Sequence, residues 1–355
     1  MQFSSFLLSL GLLLTVMISN VLYSSKPEPY LREAANFPVG VAINPKRLVQ
    51  TDYAQVVSQE FSSLTAENVM KPQYIWADER EYDFSLGDSV VAFADAHNQQ
   101  VHGHTLAWHL MQPDWLENSV DSYDSATLEN LLRDYIQAVV THYRGKVVSW
   151  DVVNEAVASD GNGWRNSAYH QKLGDDYVAR FHQYAREADP DILLFYNDYD
   201  VVAKPEKLAT ILAMVDDFQF RGIPIDGIGL QMHIRLDFSL DDFQYALDEI
   251  VKRDLKVHLS EVDIRTNPDG ELSSLTAQAA EQQRKLMAEI VRRYNQLPRE
   301  NKFAITFWGL RDNESWLTKH TGHPQWPLLF GENFEKKPMY QGFLEGLDVG
   351  QTKLH

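Results

Sequence analysis

Apolar and polar positions alternate along this chain in two rhythms. Short apolar runs recur at PVGVAIN (38–44), SSLTAEN (62–68), QVHGHTLAWH (100–109), VVSWDVVNE (147–155), ILLFYND (192–198), IGLQMH (228–233), KVHLSEVD (256–263) and FAITFWGL (303–310). Runs of this length fit strands buried on both faces, as parallel sheets require. Between them the spacing turns helical: Leu128, Leu131, Leu132, Tyr135, Ile136, Val139 and Val140 share one helical face. Phe243–Val251 and Ala277–Tyr294 repeat that period, and ADPD (188–191), RGIP (221–224) and LPRE (297–300) supply stop signals. Eight strands alternating with helices predict an α/β fold, a parallel sheet closed into a (β/α)8 TIM barrel that forms one domain over residues 37–348. An open doubly wound sheet is the alternative, and no GxGxxG or Walker-type loop supports it.

The N-terminus breaks the pattern. FLLSLGLLLTVMISNVL (6–22) is apolar, diluted only by Ser, Gly, Thr and Asn, and about as long as a bilayer span. It is followed by the polar, Pro-containing SSKPEP, so residues 1–25 read as a signal peptide or an N-terminal membrane anchor and 26–36 as a linker. No Lys or Arg precedes the run and no clean A-x-A cleavage site follows it, which leaves both readings open. Either one places the folded part outside the cytoplasm: secreted, periplasmic, or anchored at the cell surface. No second domain is expected after the barrel.

Composition narrows the chemistry. Hydrophobic residues make up 44% and charged residues 23%, the balance of a soluble globular protein with a large core. With no cysteine there are no disulfides, zinc–thiolate sites or thiol nucleophiles. The formal net charge of -18 argues against nucleic acid, whose phosphates need clustered Lys and Arg. His102, His104 and His109 lie close together in sequence but lack HExxH-type spacing, so neither a metal nor another cofactor is expected. The expected state is a monomer.

The polar residues concentrate where the strands end. In order these are Glu67 and Asn68, His104 and Trp108, Asn154 and Glu155, Asn197 to Tyr199, Gln231 and His233, Glu261 and Asp263, then Trp308. In a TIM barrel the C-terminal strand ends form one mouth, and that mouth carries the active site. One such ending is an ordinary loop residue; seven in succession describe a site. Carboxylates beside a core are costly unless they have partners or a use.

TAENVMKP (65–72), HGHTLAWH (102–109), WDVVNEA (150–156), YNDYD (196–200), GLQMH (229–233), LSEVDI (259–264) and TFWGLRDNESWL (306–317), with PLLF…KPMY (327–340), together resemble glycoside hydrolase family 10 endo-β-1,4-xylanases. The resemblance implies a retaining hydrolase acting on xylan or xylo-oligosaccharides, with Glu155 as acid/base and Glu261 as nucleophile. Such a mechanism needs two carboxyls about 5–5.5 Å apart, one protonated and one ionised. The negative charge of Glu261 would favour the protonated start that Glu155 needs. His233 is the expected donor to Glu261, with Asp263 holding the other ring nitrogen, and Gln231 is expected to orient Glu155. The resemblance further implies that Asn154 binds the 2-hydroxyl of the reacting sugar. Glu67, Asn68, Lys71, His104 and Trp108 would contact the glycone side, and Trp308 and Trp316 would close over the ring. Tyr199 is expected on the acceptor side. For a lone Trp, core packing is the ordinary reading; here the motif context favours sugar.

One position departs from the resemblance. Where the family usually has Gln, three residues after the Trp of LAWH, this chain has Met111, followed by Gln112. Either a glycone donor is lost or Gln112 supplies it from a shifted loop. Two rival functions are to be weighed against it. A retaining cellulase of the same barrel superfamily would share both glutamates, whereas a non-catalytic sugar-binding protein would have no need of a carboxylate pair.

Overall fold

The computed structural model describes residues 28–347. The proposed signal or anchor lies outside the described residues. Eight parallel strands close into a barrel: β1 (Val39–Ile43), β2 (Ser63–Ala66), β3 (Gln100–Trp108), β4 (Ser149–Asn154), β5 (Leu193–Tyr199), β6 (Gly227–Arg235), β7 (Lys256–Arg265) and β8 (Lys302–Phe307). Each strand pairs with its sequence neighbours, and β8 returns to pair with β1. All eight coincide with the apolar runs of the sequence. A two-stranded hairpin, Trp76–Asp78 with Glu81–Tyr82, was not foreseen; it is too short to carry a period.

Each strand is followed by one long helix: α1 (Thr51–Glu60), α2 (Ser85–Ala96), α3 (Ser125–Tyr143), α4 (Tyr177–Ala188), α5 (Pro205–Arg221), α6 (Leu240–Val251), α7 (Ala277–Asn295) and α8 (Pro338–Leu347). Local chemistry sets their ends. Asp124 caps α3 by accepting from Thr127 N at 2.8 Å, and Thr276 caps α7 by accepting from Ala279 N at 3.1 Å. α5 opens on Pro205 and closes at Gly222 with φ +68°, the favoured asymmetry of start and stop. Ahead of β1 a short helix, Leu31–Ala34, buries Leu31 and ties its backbone N–H to Glu60 Oε2 at 3.0 Å. None of the described helices is long and apolar enough to cross a membrane.

The barrel interior is layered. One layer is aromatic: His102 and His258 meet edge to face at 4.7 Å, and Phe195 and Phe303 pack at 4.6 Å. On the outer face of the barrel, toward α3, Gly103 sits against Trp150, where a Cβ would fall 2.2 Å from the indole. Toward the C-terminal strand ends the interior turns polar, and the site is built there.

Candidate active site

Strands β4 and β7 deliver the two glutamates. Glu155 directly follows β4 and Glu261 lies within β7, both buried, and both hold left-handed backbone, at φ +59° and +57°. A non-glycine residue there costs of the order of 1–2 kcal/mol, which persists only where the surroundings over-determine it. The Glu155 N–H donates to Asn197 O at 2.9 Å, which anchors the turn to β5.

Amides connect the carboxylates. Gln231 Nε2 donates to Glu155 Oε1 at 3.1 Å and to Asn154 Oδ1 at 3.0 Å. Asn197 Nδ2 donates to the same Asn154 oxygen at 2.9 Å and to Glu261 Oε1 at 2.8 Å. Asn154 Nδ2 completes the chain by donating to Glu155 Oε1 at 3.2 Å. The Asn197 amide is itself oriented by Ser260, whose hydroxyl donates to Asn197 Oδ1 at 2.6 Å. These contacts join four strands that lie side by side in the sheet, β4, β5, β6 and β7.

Glu261 is held charged. His233 Nε2 lies 3.0 Å from Glu261 Oε2, and His233 Nδ1 lies 2.8 Å from Asp263 Oδ2, the arrangement expected from the sequence. Burial opposes ionisation of Glu261, but the His233 hydrogen bond and the neighbouring His104 and His233 rings outweigh it and lower its pKa. For His233 burial disfavours the cation, yet Asp263 and Glu261 overcome that and push its pKa up to about 10. Trp316 Nε1 also donates to Asp263 Oδ2, at 3.0 Å.

The glycone-side candidates gather around a buried cation. Lys71 Nζ donates to Asn68 Oδ1 at 3.0 Å and lies 5.0 Å from the Trp108 ring and 5.9 Å from the Trp308 ring. Burial lowers its pKa against the opposing pull of Glu261, Glu67 and Glu155. Burial likewise raises the pKa of Glu67, with Lys71 opposing. His104 packs edge to face on Trp308 at 5.3 Å, while its Nδ1 lies 2.8 Å from Asp151 Oδ2. Burial works against ionisation of Asp151 too, but His102 and His104 prevail and hold it well below the usual carboxylate range.

Gln112 does not replace the missing donor. Its amide nitrogen donates to the carbonyls of Trp108 and Leu110 in its own loop, and Met111 carries φ +55°. A cavity of about 290 Å3 opens beside Gln231 and His233 and is lined further by Asp200, Arg235, Asp237 and Phe238. Tyr199, expected on the acceptor side, has its hydroxyl 2.6 Å from Ser159 Oγ and accepts from Arg165 Nη2 at 2.9 Å. Among the described residues no cluster of three or more His, Asp or Glu is spaced to hold a metal ion.

Sequence reasoning missed three participants. Asn197 was visible as a strand-end amide, but nothing marked it as the bridge. Asp151 sits inside WDVVNEA, and its side chain points into the barrel by strand alternation from Val152. Arg165 lies in the loop after β4, where no period operates, and it donates to Glu155 O at 2.8 Å.

A deep pair of carboxylates at a barrel mouth, one of them held ionised, is the signature of a glycoside-cleaving enzyme. Comparison with known proteins gives the family. The profile of glycosyl hydrolase family 10 matches residues 31–346. The chain is 34% identical over 317 residues to endo-1,4-beta-xylanase A of Thermoanaerobacterium saccharolyticum, a match spanning 86% of this chain and 26% of that protein. It is 35% identical to an endo-1,4-beta-xylanase of Geobacillus stearothermophilus, covering 88% of this chain and 97% of the relative. The crystal structure of xylanase 10B from Thermotoga petrophila in complex with xylobiose superposes with a TM-score of 0.85 at 34% identity, covering 91% of this chain and 98% of that one. The chain belongs to glycosyl hydrolase family 10.

Proposed function

We propose that this protein is a retaining endo-1,4-β-xylanase that cleaves xylan and xylo-oligosaccharides by double displacement. The observation that carries the reading is the amide chain linking Glu155 to Glu261 through Asn154, Asn197 and Gln231. It fixes two carboxylates relative to each other while only Glu261 has an imidazole donor. A Glu261 oxygen attacks the anomeric carbon as the bond to the leaving oxygen breaks, and Glu155 gives that oxygen its proton. Water then attacks the same carbon, Glu155 takes the proton, and the ester to Glu261 breaks, which restores both groups.

Lys71, Asn68, Glu67, His104 and Trp108 supply the glycone contacts in this reading, with Trp308 and Trp316 over the ring and Asn154 at the 2-hydroxyl. Tyr199 is assigned to the acceptor side in this reading. Steric selection for xylose over glucose is modest, about 1–3 kcal/mol per methylene-sized group, so some cleavage of aryl cellobiosides accompanies xylanase activity. Export, by cleavage or retention of residues 6–22, is part of the proposal and is supported by their apolar composition.

Hydrolysis of xylan and of carboxymethylcellulose, measured side by side with Glu261→Ala as control, tests the reading. Xylan should be cleaved far faster, and Glu261→Ala should be inactive while still binding xylo-oligosaccharide. Comparable rates on the two polymers would point to a glucanase, and substantial activity in Glu261→Ala would remove the nucleophile assignment.

A further inference from the structure

The loop that follows Glu155 is closed by an arginine rather than by its own backbone alone. Arg165 Nε donates to Glu155 O at 2.8 Å, Nη2 donates to Val157 O at 3.2 Å and to the Tyr199 hydroxyl at 2.9 Å, and Nη1 reaches Ser159 Oγ at 3.3 Å. Its own N–H donates to Ala156 O at 2.7 Å. One guanidinium thus grips the carbonyl of Glu155 and the turn beyond it in a planar fork.

The grip is itself anchored. Tyr199, which receives Arg165, lies under Lys207 Nζ at 3.6 Å from the ring centroid, and Lys207 forms a fully buried ion pair with Asp198 at 2.6 Å. Tyr196 donates its hydroxyl to Asp198 Oδ2 at 2.5 Å and accepts from Val157 N at 3.0 Å. Gly161, at φ +83°, presses on the backbone of Lys207, where a Cβ would fall 2.5 Å from Lys207 N. Thr210 Oγ1 donates to Gly161 O at 2.6 Å, and Lys204 Nζ donates to Ser159 O at 2.8 Å. The loop from Glu155 to Arg165 is therefore docked on β5 and on the first turns of α5.

Glu155 needs such a clamp. Its left-handed backbone is not what a glutamate adopts alone, and its side chain leaves the strand in a direction that this φ sets. Gln231 and Asn154 meet the carboxylate, but both act on the side chain only. Arg165 is the side chain that fixes the peptide behind it.

We propose that Arg165 is a positioning residue for proton delivery: by holding the Glu155 carbonyl and the turn at Val157, it keeps the Glu155 carboxyl aimed at the leaving oxygen. This rests on Glu155 being the acid. The Glu261 half of the site, held by His233 from β6 and Asn197 from β5, receives no hydrogen bond from Arg165, so attack at the anomeric carbon is spared when the clamp is cut.

The test compares kcat/KM, which reports the first half-reaction, on two aryl xylobiosides: dinitrophenyl, whose leaving group needs no proton, and an unactivated aryl group that does. Arg165→Met should lose about 10–100-fold on the unactivated substrate, a fraction of what a general acid contributes, and less than about threefold on the dinitrophenyl one. KM for xylo-oligosaccharides should stay near the wild-type value. Arg165→Lys keeps the charge but cannot span the four acceptors, so its loss on the unactivated substrate should lie between wild type and Arg165→Met. If Arg165→Met does not fold, Arg165→Lys carries the same leaving-group comparison.

Equal losses on both substrates, or wild-type rates on both, would overturn the inference. Glu155→Ala is run in parallel. If it loses equally on both substrates, the acid assignment itself fails; if it discriminates and the Arg165 variants do not, only the Arg165 inference falls.

Discussion

Asn197 and Glu261 are joined by a 2.8 Å hydrogen bond in which the amide nitrogen of Asn197 also serves Asn154, at 2.9 Å. One donor group therefore sets the position of the nucleophile candidate and of the residue beside the acid. Asn197→Ala leaves a buried carboxylate and a buried amide oxygen each short of a donor. A hydrogen bond to a charged group contributes about 1.5–3 kcal/mol, so kcat on xylan should fall roughly 10–100-fold. KM should change little, because Asn197 is fully buried. A variant within twofold of wild type would show that Gln231 and His233 suffice without the bridge.

Gly229 is the partner that makes room for Asn197. The two are paired across β5 and β6, and a Cβ at 229 would lie 2.2 Å from Asn197 Oδ1. Gly229→Ala must push that amide away from Ser260 and Glu261, an overpacking that costs about 1–3 kcal/mol. The expected result is a lower thermal midpoint together with a kcat loss resembling that of Asn197→Ala. A destabilised variant with unchanged kcat would show that the bridge tolerates the shift.

His233 makes the site respond to pH in two opposite ways. Glu261 must be ionised to attack, and its pKa is lowered, so the acid limb of kcat/KM should lie below the ordinary value of 4.5. His233→Asn removes the cation and should move that limb to higher pH; an unmoved limb would mean that other groups hold the carboxylate charged. For stability the sign reverses. The folded-state pKa of His233 is about 10 against an ordinary 6.5, so its contribution is complete below pH 6.5 and is lost as pH rises toward 10. Wild type should therefore lose about 2–4 kcal/mol more than His233→Asn between those limits, read from urea unfolding. Parallel curves for the two proteins would contradict it.

The barrel could be read in the sequence because each strand is buried on both faces and each helix on one, which forces the two rhythms apart. The glutamates and His233 were legible because a charged residue ending an apolar run is rare enough to stand out. Asn197 and Arg165 were not. The first is one polar group among several at the end of β5, and its meaning lies in which side chains β4 and β7 bring to it. The second sits in a loop whose path is set by docking on α5, and no periodicity encodes that. Gln112 shows the same limit, since only the fold of its loop shows its amide turned back on Trp108 and Leu110.

The last motif of the chain marks stability rather than chemistry. Lys337, from KPMY, is buried and lies 2.7 Å from Asp312 Oδ2, and it donates to Asp312 Oδ1 at 2.9 Å and to the carbonyls of Trp326 and Leu328 at 2.8 Å. Burial pushes the Asp312 pKa up to about 6 despite the cation, and it lowers that of Lys337. Asp312 in turn accepts from Leu328 N at 2.9 Å, so the pair pins the stretch before α8 to the segment that carries Trp316. Lys337→Met leaves a buried carboxylate without its cation and should cost about 3–5 kcal/mol. Asp312→Asn combined with Lys337→Met should recover part of that, because no uncompensated charge then remains. At a temperature where Lys337→Met is still folded, its kcat/KM on xylo-oligosaccharide should match wild type, since neither Lys337 nor Asp312 touches the glutamates. A variant with wild-type stability and lost activity would place this pair in the site instead.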